Sequence, residues 1–277
     1  MLVGLCLALL GCDTVFVPLG RPDAVAIAQD VVTELPLRLA IGREAECLAQ
    51  DLLPAYAERH PDVTIMPLTM GGVSALQALA DGQADLALVA ARDASELYEQ
   101  AGALTVTLLA RSGLAIVAHQ SVTMARISAE DLRALFSGEI SDWSALGAPA
   151  GQPQLAVQAP GTAARDVFDA SVMAGARVSS TARVLASDSA VAEFVAANPL
   201  AIGYAAAACL PDDAPVSVLA IDLLLPTRAN IEKGQYPLGY GLYLVSAEGY
   251  STEASALAAF ATSGRGQEAV RARHALP

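Results

Sequence analysis

Leu37-Arg38-Leu39-Ala40-Ile41 alternates in the manner of a strand and Gly42 breaks it. Glu44 to Arg59 then carries apolar side chains (Cys47, Leu48, Leu52, Leu53, Tyr56) at the spacing of one helix face. A second strand is read at Val63 to Leu68. Gly71-Gly72 opens a helix through Leu79, Asp81-Gly82 turns the chain, and Asp85 to Ala90 is a third strand. Connections of this length between strands favour a parallel sheet with right-handed crossovers, so this half of the chain reads as an α/β layer structure.

A second α/β unit follows. Leu114 to Ala118 is a strand, Ser128 caps a helix through Phe136 with Glu130 and Asp131 in its first turn, Leu155 to Val157 is a strand, and Thr162 opens another helix. Ser189 to Ala197 is helical and Ala201-Ile202-Gly203-Tyr204 is a short buried strand. Beyond Pro215 come strands at Val216 to Ala220 and Leu242 to Ser246, a helix from Thr252 to about Ala261, and another after Gly264.

A chain of 277 residues is long enough for about two domains, each with an ordinary core. With 54% apolar and 16% charged residues it is a packed protein rather than a disordered one. Lys+Arg 16 against Asp+Glu 29 gives a net charge of -13 with no basic run, which argues against a nucleic-acid partner. The mean hydropathy of +0.46 raises the question of a membrane span, yet the N-terminal apolar stretch ends at Gly11, well short of the roughly 20 residues a span needs. It reads as a secretory h-region instead, and Leu9-Leu10-Gly11-Cys12 looks like a bacterial lipobox that leaves Cys12 for lipidation. A plain cleaved signal or a buried N-terminal segment is the alternative. Residues 13–34 read as a tether.

Export removes Cys6 and lipidates Cys12, leaving Cys47 and Cys209. These read as two free buried thiols, with a disulfide between them as the less favoured alternative. No Cys-x-x-Cys spacing exists and His60, His119 and His274 lie far apart, so no metal or other cofactor is expected. No Gly-x-Ser-x-Gly elbow occurs and the histidines fall outside the candidate loops, so the chain does not read as an enzyme.

Two loops carry the candidate chemistry, each a turn between a strand and a helix. They are Thr69-Met70-Gly71-Gly72-Val73-Ser74 and Gly161-Thr162-Ala163-Ala164-Arg165-Asp166. Unpaired N–H groups at a helix start, at the positive end of its dipole, can hold an anion without a basic side chain. In open α/β sheets such loops lie at the carboxyl ends of the strands, where ligands bind.

Ile127-Ser128-Ala129-Glu130-Asp131-Leu132-Arg133-Ala134-Leu135-Phe136-Ser137-Gly138-Glu139-Ile140-Ser141-Asp142-Trp143 resembles a segment of phosphate ABC-transporter binding proteins (PstS-like), a helix followed by Phe-x-Gly-x-Ile and Trp. Asp166-Val167-Phe168, Asn198-Pro199-Leu200-Ala201-Ile202-Gly203-Tyr204, Tyr236-Pro237-Leu238 and Gly266-Gln267 follow in the family's order, so the resemblance covers about Leu35 to Pro277. It implies a two-lobed, type II periplasmic-binding-protein-like (Venus flytrap) α/β fold. Lobe one would hold residues 35–112 plus 211–277 and lobe two residues 113–210, with the ligand between them. Phe136, Ile140 and Trp143 read as a packed corner.

The site motifs match less well than this framework. Where the family has a Gly-Ser-Thr-like stretch after the first strand, this chain has Gly42-Arg43-Glu44. Thr69 keeps a hydroxyl at the family's serine, beside Gly71, and Ala90-Ala91-Arg92-Asp93 follows the third strand. In place of Arg, three spacers and Ser-Gly-Thr-Arg stand Gln158 and Thr162-Ala163-Ala164-Arg165. Gln158 lacks the charged, bidentate donor of an arginine, so Arg43 or Arg92 would have to replace it. Glu44 and Asp93 are the candidate acceptors for a ligand proton. The resemblance implies an extracytoplasmic binder of phosphate or a related oxyanion serving ABC permease subunits, which the lipobox would anchor by lipid at Cys12. A sensor or surface interaction module that kept the lobes and lost the site is the alternative.

Overall fold

The computed structural model describes residues 36–101, 104–211, 213–247, 249 and 251–277; the lipobox, Cys12 and the tether lie outside them. The first elements are β1 (Leu37–Gly42), a 3-10 turn (Arg43–Ala45), α1 (Glu46–Ala57), β2 (Ile65–Met70), α2 (Gly72–Ala80), β3 (Leu86–Ala91) and α3 (Ser95–Ala101). The middle of the chain forms β4 (Leu104–His119), β5 (Arg126–Ile127), α4 (Ala129–Ser137), β6 (Gln154–Gln158) and α5 (Ala163–Phe168), which runs into a π-helical turn (Asp169–Met173). Then come β7 (Arg183–Leu185), α6 (Asp188–Ala197), β8 (Ala201–Ala206), a 3-10 turn (Ala207–Cys209), β9 (Val216–Ile221), α7 (Arg228–Glu232), β10 (Gly239–Ala247), α8 (Thr252–Thr262) and α9 (Gly264–Arg271). Among the described residues no helix is long and apolar enough to cross a membrane.

The strands form a curled mixed sheet in the order β2-β1-β3-β10-β4-β8-β6-β7, with β9 and β5 branching from β4. β1 runs parallel to β2 and β3, as the alternation of strands and helices predicts, and β10 is antiparallel to β3. β4 joins the two halves. Residues 104–113 pair with β10, Leu114–Ala118 with β8, and Ile116–His119 with β9. Only 114–118 is expected to be strand from the sequence; the structure extends it ten residues toward the N-terminus. It also pairs β9 with β4, with Leu219 opposite Ile116 and fully buried.

One core runs along a single face through both halves. Leu48, Leu52 and Tyr56 of α1 and Leu257 and Phe260 of α8 cover the first half, while Leu132 and Phe136 of α4 and Val167 and Phe168 of α5 cover the second. On the opposite face the halves are packed separately, by Leu76 and Leu79 of α2 in one and by Val191 and Val195 of α6 in the other. The continuous face makes the two halves one unit.

The framework motifs have local physical reasons. Trp143 is fully buried and its indole N–H donates to the Leu200 carbonyl at 2.9 Å, which ties the Phe-x-Gly-x-Ile corner to the Asn198-Pro199-Leu200 turn. Tyr236 donates its hydroxyl to the Leu114 carbonyl at 2.6 Å, where β4 passes from one half to the other. A Cβ on the neighbouring Gly113 would lie 3.0 Å from the Tyr236 ring, so a larger residue at the crossing would have to push the ring aside. At Gly266 a Cβ would collide with the Phe260 carbonyl and the Ala261 backbone, so α9 can follow α8 only without one.

Cys47 and Cys209 form a disulfide with Cα atoms 5.7 Å apart, which corrects the reading of two free thiols. Their separation of 162 residues hides the pairing in the sequence. The bridge ties the first turn of α1 to the 3-10 turn that follows β8, and so joins the two halves.

Candidate functional site

The starts of α2 and α5 come from opposite halves of the sheet and line one cavity of about 60 Å³, room for a few water molecules. Gly72 and Val73 contribute from α2, Ala90, Ala91 and Arg92 from the end of β3, and Gly161, Ala163 and Asp166 from the α5 turn. Gly71 caps α2 without any side-chain bond to the first amides, because glycine has no side chain to offer. The two turns therefore face one another, as an anion cradle requires.

The α5 turn is already occupied. Thr162 caps it by accepting from the Arg165 amide at 3.2 Å, and its hydroxyl hydrogen goes to the Ala159 carbonyl at 2.9 Å. The hydroxyl expected to hold a ligand thus serves its own turn. The Ala164 amide donates to Glu44 Oε1 at 3.4 Å across the cleft. Glu44 is only 2% exposed, and its Oε2 is buried with no hydrogen-bond partner.

The cationic side chains are engaged as well. Arg165 pairs with Asp169 at 2.8 Å and reaches the Gln158 carbonyl at 3.4 Å. Arg92 lines the cavity but pairs with Glu96 at 2.6 Å. Glu96 lines it too, beside Asp166, whose pKa is raised by burial first and then by the charges of Asp169 and Glu96. Asp93 spends its carboxylate on the Ser95 amide at 2.8 Å, which lowers its pKa.

Behind the cavity, buried Gln158 donates to Asp188 Oδ1 at 2.7 Å, and the same oxygen accepts from the Ala206 amide at 2.8 Å. Burial raises the pKa of Asp188 to about 6 against the pull of these bonds, and the charges of Glu44 and Glu46 push the same way. The buried Tyr240 hydroxyl is pushed far above its usual range, by burial first and then by Asp188 and Glu44.

Of the residues nominated from sequence, the structure thus gathers Arg92 and Ala163 on the cavity and Glu44 and Ala164 beside it. Gly71 caps the facing helix, and Gln158, Thr162 and Arg165 stand behind. Arg43 and Thr69 are exposed; Thr69 lies within β2, which continues through Met70, rather than in the turn. Gly161 and Asp166, the two ends of the second candidate loop, line the cavity. Glu96, which also lines it, and Asp188, which holds Gln158 behind it, have no signal in the sequence.

Residues 44–265 match the model of the PBP superfamily domain. The chain belongs to the PBP superfamily. Within it, the phosphate-binding protein PstS of Bacillus subtilis (strain 168) is 27% identical over 185 residues, which is 66% of this chain and 60% of that protein's length. A Clostridium perfringens structure with bound phosphate, assigned as a phosphate ABC transporter substrate-binding protein, superposes with a TM-score of 0.79 at 20% identity, covering 87% of this chain and 99% of the other. An ABC-type phosphate transport receptor from Vibrio cholerae gives 0.72 at 20% identity over 87% and 100%. The two-lobed PBP fold accounts for the mixed sheet and the β4 crossing. The cavity lies at the carboxyl ends of β3 and β6.

Proposed function

We propose that the chain is an extracytoplasmic solute-binding lipoprotein, anchored through Cys12, that captures phosphate or a related small oxyanion between its lobes and delivers it to an ABC permease. It binds and releases without chemistry on the ligand. The observation that carries this reading is the facing of two helix starts, one from each half of the sheet, across one cavity that Arg92 also lines. The relatives named for phosphate binding and transport support the ligand class. The Cys47–Cys209 bridge supports an oxidising compartment outside the cytoplasm. We place the passages between lobes at Gly113–Leu114 and between β9 and α7, with α7 and Tyr236 packed on the first of them.

Equilibrium dialysis of the mature protein with radiolabelled phosphate tests the reading: saturable binding tighter than millimolar supports it, and anything weaker removes phosphate as the ligand. Fractionation of cells producing the wild type and Cys12→Ser tests the anchor, since the variant should leave the membrane fraction. The pairing of both Arg92 and Arg165 with carboxylates favours a second reading, an interaction or sensor module with the same lobes and no phosphate affinity.

A further inference from the structure

The 3-10 turn Arg43–Ala45 carries a glutamate where the resemblance leads one to expect a hydroxyl donor, and the fold buries it. Glu44 has no cationic partner among the described residues and reaches 120 residues along the chain to the Ala164 amide. That amide is the second of α5, which runs on into the π-helical turn Asp169–Met173, and an oxyanion in the cleft would need it. The other carboxylate oxygen, Oε2, is shut away from water with nothing donating to it. A buried carboxylate without a cation is kept only where something compensates it, and here the compensation comes from the lobe opposite.

We propose that Glu44 is the resident anion of this site, a carboxylate seated on the Ala164 amide that an incoming oxyanion must displace. The proposal rests on the oxyanion reading and deepens it by naming the residue that sets affinity. Glu44 cannot simply be carried off by the opening of the lobes, because the Cys47–Cys209 bridge, three residues on, ties this segment to the 3-10 turn that follows β8. Displacement therefore means rotation of the side chain toward solvent, where exposed Arg43 begins the same turn. Glu44 in this role is an affinity-lowering occupant. An acceptor for a ligand proton would instead leave the amide to the ligand.

The test compares wild type, Glu44→Gln and Glu44→Ser, all with the disulfide intact, by calorimetric titration with inorganic phosphate and with sulfate. Amide exchange of Ala164 is followed in the ligand-free forms. Glu44→Ser should lower the phosphate Kd at least tenfold, Glu44→Gln should fall between, and the Ala164 amide should exchange faster in Glu44→Ser than in wild type. Unchanged exchange at Ala164 overturns the proposal whatever binds. A Kd that is equal or higher in Glu44→Ser, with wild type still binding, overturns it while leaving the oxyanion reading in place, since Glu44 would then touch the ligand. Faster exchange with no binding of either anion by any form removes the oxyanion reading and displacement with it. Glu44→Gln keeps the side-chain volume, so a folding defect confined to the serine variant does not spoil the comparison.

Discussion

The two turns that face each other across the cavity look alike in sequence, a short run of small residues before a helix, yet they meet different fates. The α2 turn is capped by a glycine that offers its first amides nothing. At the α5 turn Thr162 caps, Glu44 takes the Ala164 amide, and Arg165 turns away to Asp169. One side of the cleft is left for a ligand, and the other has been satisfied from within. A helix start is thus only half of an anion site; what else in the fold competes for its amides decides whether it is available.

The covalent tie across the halves sets how firmly that difference is held, and cutting it should have the largest effect. A loop closed over 162 residues corresponds to about 5 kcal/mol of lost unfolded-state entropy in the chain-entropy model, and measured values commonly fall at 2–5 kcal/mol. We expect the Cys47→Ser/Cys209→Ser double variant to lose stability within that range in urea denaturation. A loss below about 1 kcal/mol would mean that the continuous core alone fixes Glu44 against α5.

A second contrast lies between two titratable groups, half-buried Asp188 and buried His274. Asp188 has its pKa raised to about 6, so the folded state binds more protons than the unfolded one from about pH 4 to 6, and stability falls as pH rises through that window. His274, only 2% exposed, has its pKa lowered to about 4, mainly by burial, so the unfolded state binds more protons between about pH 4 and 6.5 and stability rises there. The two slopes oppose each other, each at most ~1.4 kcal/mol per pH unit. Asp188→Asn should therefore gain stability relative to wild type as pH rises from 4 to 6. Denaturation midpoints at half-unit steps would show it, and a variant whose profile runs parallel to wild type would place the titration of Asp188 elsewhere.

Thr162→Ala sharpens the comparison of the turns directly. Losing an N-cap costs about 1 kcal/mol. Since both hydrogen-bonding roles of the hydroxyl are used within the turn, phosphate affinity should change less than threefold. A tenfold loss of affinity at unchanged stability would show that the hydroxyl leaves Ala159 for the ligand.

These outcomes also mark how far the sequence could be read. The framework was legible because its motifs are local or pair with other motifs: Trp143 bonds the turn ending at Leu200, Tyr236 bonds the β4 crossing, and Gly266 fits α9 against α8. The first ten residues of β4 were less legible although Leu104-Thr105-Val106-Thr107-Leu108 alternates, because the fully apolar run after Gly113 carries the stronger strand signal. The site was less legible for a different reason. Whether Thr162, Arg165 or Glu44 serves a ligand depends on partners such as Ala159, Asp169 and Ala164, and the last of these is 120 residues away. Residue type names a capability, and only the fold shows where it is spent.

Arg43 gives the smallest expected effect and the cleanest check on that point. The sequence nominates it, with Arg92, to supply the guanidinium that Gln158 lacks, yet its side chain is exposed beside buried Glu44. Arg92 at least lines the cavity, and its pair with Glu96 is a half-exposed helix-spaced one, worth about 0.3–0.5 kcal/mol, which a dianion could break. Arg43→Ala should therefore change stability by less than about 0.5 kcal/mol. Phosphate affinity should stay within a factor of two, whereas Arg92→Ala should weaken it about tenfold or more, as loss of a charge-assisted bond does. Should the order reverse in parallel titrations, Arg43 must swing inward when Glu44 swings out, and the side of the cleft that looks satisfied from within would be the side that grips the ligand.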